Sequence, residues 1–311
     1  MIALCTACAL RGLSAQAPAW QPAPGHTQVP IWPGVPPGAR RAPGAETVTT
    51  GVNDHLVAGR PWTWVSNVSR PTLTVYSPEG KNTGAAVVVF HGGGYQILAI
   101  DLEGTEVCDW LTSQGITCVL LKYRVPNAGP FWDQPCGCDR NTGSSMPLED
   151  AQRTIGLVRL HAAEWHIDPH KIGVLGFSAG GHLVAAVSTH SGRRSYAPVD
   201  AADQESSRPD FAVALYPGHL FDFRRRELNA HIQVTRTTPP TFLLQAANDS
   251  VDGVDNSLVY YRALKNAGVS TELHLYAEGG HAFGLRHTAF PITGWPRLVE
   301  AWLQTIGVLS P

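Results

Sequence analysis

A chain of 311 residues with 43% apolar and 15% charged side chains is long enough for one large domain with a well-filled core, and argues against disorder. A net charge of -2 gives no electrostatic case for nucleic acid or an anionic membrane surface. No apolar stretch reaches the ~20 residues that a membrane span needs.

Met1 to Leu13 is apolar and small, with Cys5, Cys8 and Arg11, and Ala15-Gln16-Ala17 resembles a signal-peptidase site. Residues 1–17 are therefore expected to be a signal peptide or a disordered leader, with secretion or a periplasmic location to follow. Residues 18–45 are rich in Pro, Gly and Ala, carry Trp20 and Trp32, and read as an extended arm lying over the domain, because their prolines forbid regular helix. Residues 46–311 read as a single α/β domain.

Thr72 to Pro78 alternates as a strand, and Ala85 to Phe90 is a continuous apolar run typical of a buried one. That run leads into His91-Gly92-Gly93-Gly94-Tyr95. A helix around Leu102 to Ser113 and a strand over Thr117 to Lys122 follow, giving a βαβ unit with a right-handed crossover. Asn127 to Met146 is a polar loop containing Phe131, Trp132 and Cys136-Gly137-Cys138, long enough to overhang a site. Leu148 to Trp165 is amphipathic, with Leu148, Ile155, Val158 and Leu160 on its apolar side and Arg153 and Arg159 elsewhere. A buried strand, Lys171 to Leu175, runs into Gly176-Phe177-Ser178-Ala179-Gly180 and then the helical His182 to Val187. Further strands are expected over Phe211 to Tyr216, Pro240 to Ala247 and Thr271 to Tyr276. Helices are expected over Asn256 to Ala267, capped by Asp255 and stopped by Gly268, and over Trp295 to Ile306. Alternating strands and helices with parallel-type apolar strands predict a mostly parallel, doubly wound α/β sheet with helices on both faces.

Strand, G-x-S-x-G, helix is the context of a nucleophile elbow, whose serine stands at a strained tip while the flanking glycines avoid collisions. Ser178 is thus the candidate nucleophile. A serine hydroxyl needs a base, and the base needs an orienting carboxylate. In the order Ser, acid, His, the base is His281, on the Gly-rich loop Glu278 to Gly284 just past a strand. The acid is Asp249, first on the turn Asn248-Asp249-Ser250-Val251-Asp252, with Asp252 in reserve. His274, His287, His219 and His231 read as structural or loop histidines. The consecutive glycines after His91 suit a cradle of backbone N–H groups for an oxyanion, expected from Gly92, Gly93 and Ala179. Tyr95, Trp132 and Tyr216 are candidate walls for an acyl or sugar pocket. No Lys-Ser/Thr follows the glycines, so a phosphate loop is not supported. Cys136 and Cys138 make poor zinc evidence without a second pair, and no metal is assigned. Cys108 and Cys118 lie in apolar settings and read as core residues.

Ile31-Trp32-Pro33-Gly34, the His91 to Tyr95 motif, Asp101-Leu102-Glu103-Gly104, Leu121 to Pro126, Gly176 to Leu183, Asn248 to Val251, Asn256-Ser257-Leu258 and Gly279 to Leu285 together resemble α/β-hydrolase esterases of the bifunctional feruloyl/acetyl-xylan esterase type. They are more distantly similar to hormone-sensitive-lipase-type esterases. The resemblance implies the α/β-hydrolase fold, hydrolysis of short-chain carboxylic esters (often acetyl groups on plant polysaccharides such as xylan), and no cofactor. The expected partner is a small ester or an acetylated oligosaccharide. Asn248 departs from the Asp-Asp pair that many such hydrolases carry, and the loop from Asn127 is longer than usual. The alternatives are a prolyl-oligopeptidase-like peptidase or amidase, for whose gating domain the chain has no room, and a non-catalytic binding protein on a hydrolase fold. Oligomeric state is not readable from the sequence.

Overall fold

The computed structural model describes residues 19–39, 44–52, 56–125, 132–133, 138–139 and 146–310, the four residues 132–133 and 138–139 by their backbone alone. The leader and most of the loop from Asn127 therefore lie outside the described residues. We number the eight strands of the main sheet β1 (Gln28–Pro30), β2 (Thr72–Tyr76), β3 (Ala86–Phe90), β4 (Thr117–Lys122), β5 (Ile172–Phe177), β6 (Ala212–Leu215), β7 (Thr241–Ala246) and β8 (Thr271–Tyr276). Their spatial order is β1-β2-β4-β3-β5-β6-β7-β8. β2 runs antiparallel to both β1 and β4, and every later neighbour is parallel.

β3, β4, β5 and β7 are buried along their whole length, as strands covered on both faces must be. The helices are α1 (Glu106–Ser113), α2 (Met146–Leu160), α3 (Ala179–Thr189), α4 (Asp255–Asn266) and α5 (Trp295–Thr305). Gly176 and Phe177 are consecutive on β5 and so face opposite sides. A Cβ at Gly176 would meet Val184 of α3 at 3.0 Å, while the Phe177 ring lies 5.9 Å from that of Trp295 on α5. α3 and α5 therefore cover opposite faces. α1 joins α5 through Trp110, whose indole N–H donates to Glu300 at 2.9 Å.

The Pro-rich segment is more than an arm over the domain. It supplies the edge strand β1, and beyond it Ile31 and Trp32 are buried. Trp32 donates to Asp150 at 2.8 Å, and Arg124 reaches the same carboxylate through Nε at 2.9 Å. Arg124 also donates to the Met146 carbonyl at 3.2 Å. A second buried pairing explains why α2 departs from its expected pattern. Arg153 is buried, held by Asp200 at 2.6 Å and Asp203 at 3.1 Å, while Leu160 at the helix end is 42% exposed. An arginine goes inside only when its charge is paired, and here two carboxylates pair it.

Two further readings are corrected. Cys108 on α1 and Cys118 on β4 are joined by a disulfide, their Cα atoms 5.2 Å apart, because the short turn between helix and strand folds them back on each other. Val254, not Asp255, stands at the cap of α4, and Asp255 is already helical. Among the described residues no helix is long and apolar enough to cross a membrane.

Candidate active site

The sheet brings the chemistry-bearing loops to one edge. β5 lies between β3 and β6, so the carboxyl end carrying Ser178 is flanked by the glycine loop after β3 and the Tyr216 turn after β6. β7 and β8 follow, delivering Asp249 and His281 to the same edge. Crevices outside the carboxyl ends of parallel strands are where such sheets bind ligands.

Ser178 has φ 52° and ψ -118°, the strained backbone that the elbow requires. The turn closes because Gly176 packs directly on the Gly180 carbonyl, where a side chain has no room. His281 Nδ1 meets Asp249 Oδ2 at 2.7 Å, and the other Asp249 oxygen accepts the N–H groups of Val251 and Asp252, each at 2.9 Å. The acid that faces Nδ1 is therefore Asp249. Asp252 stands on the other side of the imidazole. Its Oδ2 lies 3.7 Å from His281 Nε2 and accepts the Ser178 hydroxyl at 3.1 Å. In this structure the serine hydroxyl is bonded to Asp252 rather than to the histidine.

Burial works against charge on His281, but the hydrogen bond to Asp249 and the charges of Asp249, Asp252 and Glu103 outweigh it and raise the imidazole pKa above 6.5. Asn248 has its own task. Its side-chain oxygen accepts the N–H groups of Gly279 and Gly280 at 3.0 and 2.9 Å, tying the acid turn to the histidine loop.

The oxyanion reading needs one correction. The Gly92 N–H donates to Glu103 Oε2 at 2.7 Å and is not free to face a substrate. Among the described residues the N–H groups of Gly93 and Ala179 have no protein acceptor, and Ala179 opens α3, where the helix dipole adds partial positive charge. Gly94, whose N–H likewise has no protein acceptor among the described residues, lines the cavity beside Gly93. Glu103 reaches Gly92 because residues Asp101–Thr105 form a π-turn with a break at Glu103 (φ -117°, ψ 15°), not the straight start of a helix. His91 steadies the loop through its carbonyl, which accepts the Tyr123 hydroxyl at 2.6 Å; its imidazole is wholly buried and pushed down to about 3 by that burial.

Two proposed pocket walls face elsewhere. Tyr216 is wholly buried. Its hydroxyl donates to Glu103 Oε1 at 2.8 Å and its ring packs edge-on to His281 at 4.9 Å, so it braces the base from behind. Tyr95 points into a row of histidines: its hydroxyl meets His182 Nδ1 at 2.7 Å, and His182 Nε2 meets His231 Nε2 at 2.9 Å. Burial holds both imidazoles neutral, that of His231 down to about 4. The side chain of Trp132 lies outside the described residues.

Ser178, Asp252 and His281 line a cavity of about 670 Å³, together with Gly93, Gly94, Glu103, His219, Trp62 and Phe223. Sequence reasoning took His219 for a loop histidine and missed Trp62 and Phe223. Trp62 carries a weak signal, an aromatic pair alternating through Trp62-Thr63-Trp64. Phe223 carries none, because its place on the wall is set by Asn256, which accepts the N–H groups of Leu220 and Phe221 at 2.8 and 2.9 Å. Among the described residues no group of His, Cys, Asp and Glu is arranged to hold a metal ion. A hydroxyl on a strained turn, an imidazole oriented by a carboxylate and two unpaired backbone donors are the parts needed for acyl transfer.

Comparison with known proteins agrees with that chemistry. Residues 73–216 match the BD-FAE family and residues 148–306 the prolyl oligopeptidase family. The acetyl ester-xyloside bifunctional hydrolase of Caldicellulosiruptor lactoaceticus is 31% identical, covers 91% of this chain and 97% of its own, and superposes with a TM-score of 0.69. The butyrate-bound esterase Est2 of Thermogutta terrifontis shares the fold at 23% identity, over 78% of this chain and 91% of its own, with a TM-score of 0.62. The acetylxylan esterase of Xylanibacter ruminicola is 29% identical in an alignment of 248 positions that covers 71% of this chain and 45% of that one, so the chain spans less than half the length of this curated relative. The chain belongs to the α/β-hydrolases, in the prolyl oligopeptidase family, and is kin to the acetyl ester-xyloside hydrolase.

Proposed function

We propose that this protein is a serine carboxylesterase that removes short acyl groups, acetyl above all, from plant polysaccharides such as xylan. One observation carries the reading: Ser178, His281 and the free N–H of Gly93 converge on one cavity, with Asp249 holding the imidazole from behind. Ser178 Oγ attacks the ester carbonyl as His281 Nε2 takes its proton, and the N–H groups of Gly93, Gly94 and Ala179 hold the oxyanion. His281 then protonates the leaving alcohol. Water, deprotonated by the same imidazole, cleaves the acyl-enzyme. Asp249 orients the ring and stabilises its charged form.

The polysaccharide assignment is supported by the names of similar proteins, an acetylxylan esterase and an acetyl ester-xyloside hydrolase, and by two aromatic side chains on the cavity wall. Phe223, 61% exposed, and Trp62 offer faces on which a sugar ring stacks. Such polymers lie outside the cytoplasm, and the leader-like residues 1–17 favour export. The prolyl oligopeptidase match covers the half that carries Ser178, Asp249 and His281, so amide hydrolysis is the second reading. The deciding experiment compares p-nitrophenyl acetate, butyrate and octanoate, an alanine p-nitroanilide, and acetate release from acetylated xylan. The proposal expects acetate to lead among the nitrophenyl esters and acetate to be freed from xylan. Anilide cleavage without ester preference would replace it by the peptidase reading.

The histidine sets the pH response. It accepts the serine proton only when neutral, and its pKa is raised above 6.5. The kcat/KM for p-nitrophenyl acetate should therefore rise with pH along a limb whose midpoint lies above 6.5, falling tenfold per unit on the acid side. Asp252→Asn removes one of the negative charges and should move that midpoint down. A midpoint below 6.5 in the wild type would contradict the assignment of His281 as the base.

A further inference from the structure

We propose that Asp252 is a specificity-determining residue that reads the alcohol half of the ester: its carboxylate accepts a hydrogen bond from a free hydroxyl on the carbon adjacent to the one that bears the ester oxygen. The inference rests on the esterase reading and adds to it the class of alcohol, a polyol carrying an unesterified neighbouring hydroxyl.

The argument begins with position. Asp252 Oδ2 is 3.1 Å from Ser178 Oγ and 3.7 Å from His281 Nε2, on the side of the imidazole away from Asp249. The alcohol must leave from this corner, because His281 Nε2 gives it the proton. A hydroxyl on the adjacent carbon sits about one hydrogen-bond length from the departing oxygen, which brings it to the Asp252 carboxylate.

The carboxylate is fixed there by construction. The Asp252 N–H donates to Asp249 Oδ1 at 2.9 Å, so one residue anchors both the base and the reader. Its carbonyl accepts the side-chain amide of Gln245, which is itself held by Ser257 at 2.5 Å. Position 218 is glycine, and a Cβ there would run into the Asp252 carboxyl group. The Gly218 N–H is anchored in turn on the Ser178 carbonyl at 3.2 Å. The Asp252 side chain is 13% exposed, and that exposure opens into the cavity.

An ionised carboxylate in this place obstructs catalysis unless something satisfies it. In the free protein the Ser178 hydroxyl does so, and that hydroxyl is then turned away from His281. A substrate hydroxyl takes over as the donor, and the serine proton turns to His281 Nε2. Bond making follows as before: Oγ–C forms as the proton passes to the imidazole, and C–O breaks as the imidazole returns it to the leaving oxygen. Asp252 neither gains nor loses a proton. A simple alkyl ester has no hydroxyl to offer and leaves Ser178 engaged.

The test uses a matched pair, 2-hydroxyethyl acetate and 2-methoxyethyl acetate, which differ only in a methyl group that removes the donor. Wild-type kcat/KM should favour the hydroxy ester by about tenfold or more, the loss expected when a charged acceptor goes unpaired. Asp252→Val should bring the ratio close to one. Asp252→Asn, of the same shape, should lower it severalfold, since a neutral amide oxygen accepts more weakly than a carboxylate. A wild-type ratio near one overturns the proposal, as does a ratio that survives either substitution. Should none of these acetates nor p-nitrophenyl acetate be hydrolysed, the esterase reading itself has failed and the inference falls with it.

Discussion

Ser178→Ala should lower kcat/KM for p-nitrophenyl acetate by about 10⁶-fold, or about 8 kcal/mol of transition-state stabilisation. The size follows from what remains. The N–H groups of Gly93 and Ala179 and the cavity still polarise a bound ester, but attack falls to a water that His281 does not hold in place. The fold should stand. Among the described residues the Ser178 side chain makes one hydrogen bond, to Asp252, while the strained backbone is held by main-chain bonds from Ser178 N–H to the Leu215 carbonyl at 3.1 Å and from His182 N–H to the Ser178 carbonyl at 3.0 Å. Thermal melting should accordingly change little, and an organophosphate should label the wild type once per chain and the variant not at all. Hydrolysis within tenfold of wild type would remove Ser178 from the mechanism.

Asp249→Asn should cost about 10⁴-fold in kcat with the cavity unchanged in shape. The amide can keep one oxygen on the Val251 and Asp252 N–H groups, where Asp249 Oδ1 sits at 2.9 Å from each nitrogen. Its NH₂ then faces His281 Nδ1 and donates to it. That forces the tautomer in which Nε2 carries the proton, so the nitrogen facing the serine has no lone pair to offer. Asp252 does not rescue the ring, because it approaches Nε2 and not Nδ1. The two acids are thus separable: the Asp249 substitution should act on kcat for every ester, whereas Asp252 substitutions sort esters by their alcohol. Equal effects of the two on the hydroxy and methoxy acetates would merge their roles.

Much of the fold was legible because its strands are self-announcing. Thr117–Lys122 and Thr271–Tyr276 have the bounds read from the sequence, since an apolar stretch (Cys118 to Leu121) and an alternating one (Leu273, Leu275), each entered within three residues of a glycine, leave little choice. The elbow was legible for a similar reason: its meaning lies in five consecutive residues, Gly176 to Gly180, set between a strand and a helix. What misled sequence reasoning was tertiary in origin. Gly92 looks like a free donor until Glu103, eleven residues on, folds back through a π-turn to take its N–H. Tyr95 and Tyr216 look like pocket aromatics until their hydroxyls find His182 and Glu103. Arg153 looks solvent-facing until Asp200 and Asp203 arrive from another segment. In each case a polar group was satisfied by a partner that no local pattern announces.

The Arg124 cluster has a consequence for how this scaffold can vary. Arg124 stands next to Val125, where one long described segment ends, and Met146, whose carbonyl it holds at 3.2 Å, begins another. Asp150 secures the same arginine from one helical turn further on, at 2.9 Å. The two ends of the intervening stretch are thus riveted together by the domain itself, whatever the stretch contains. Doubling the length of a segment closed in this way adds only about 0.6 kcal/mol of chain entropy. The join therefore tolerates changes in the length of that stretch at little cost, while the sheet and the elbow stay as they are.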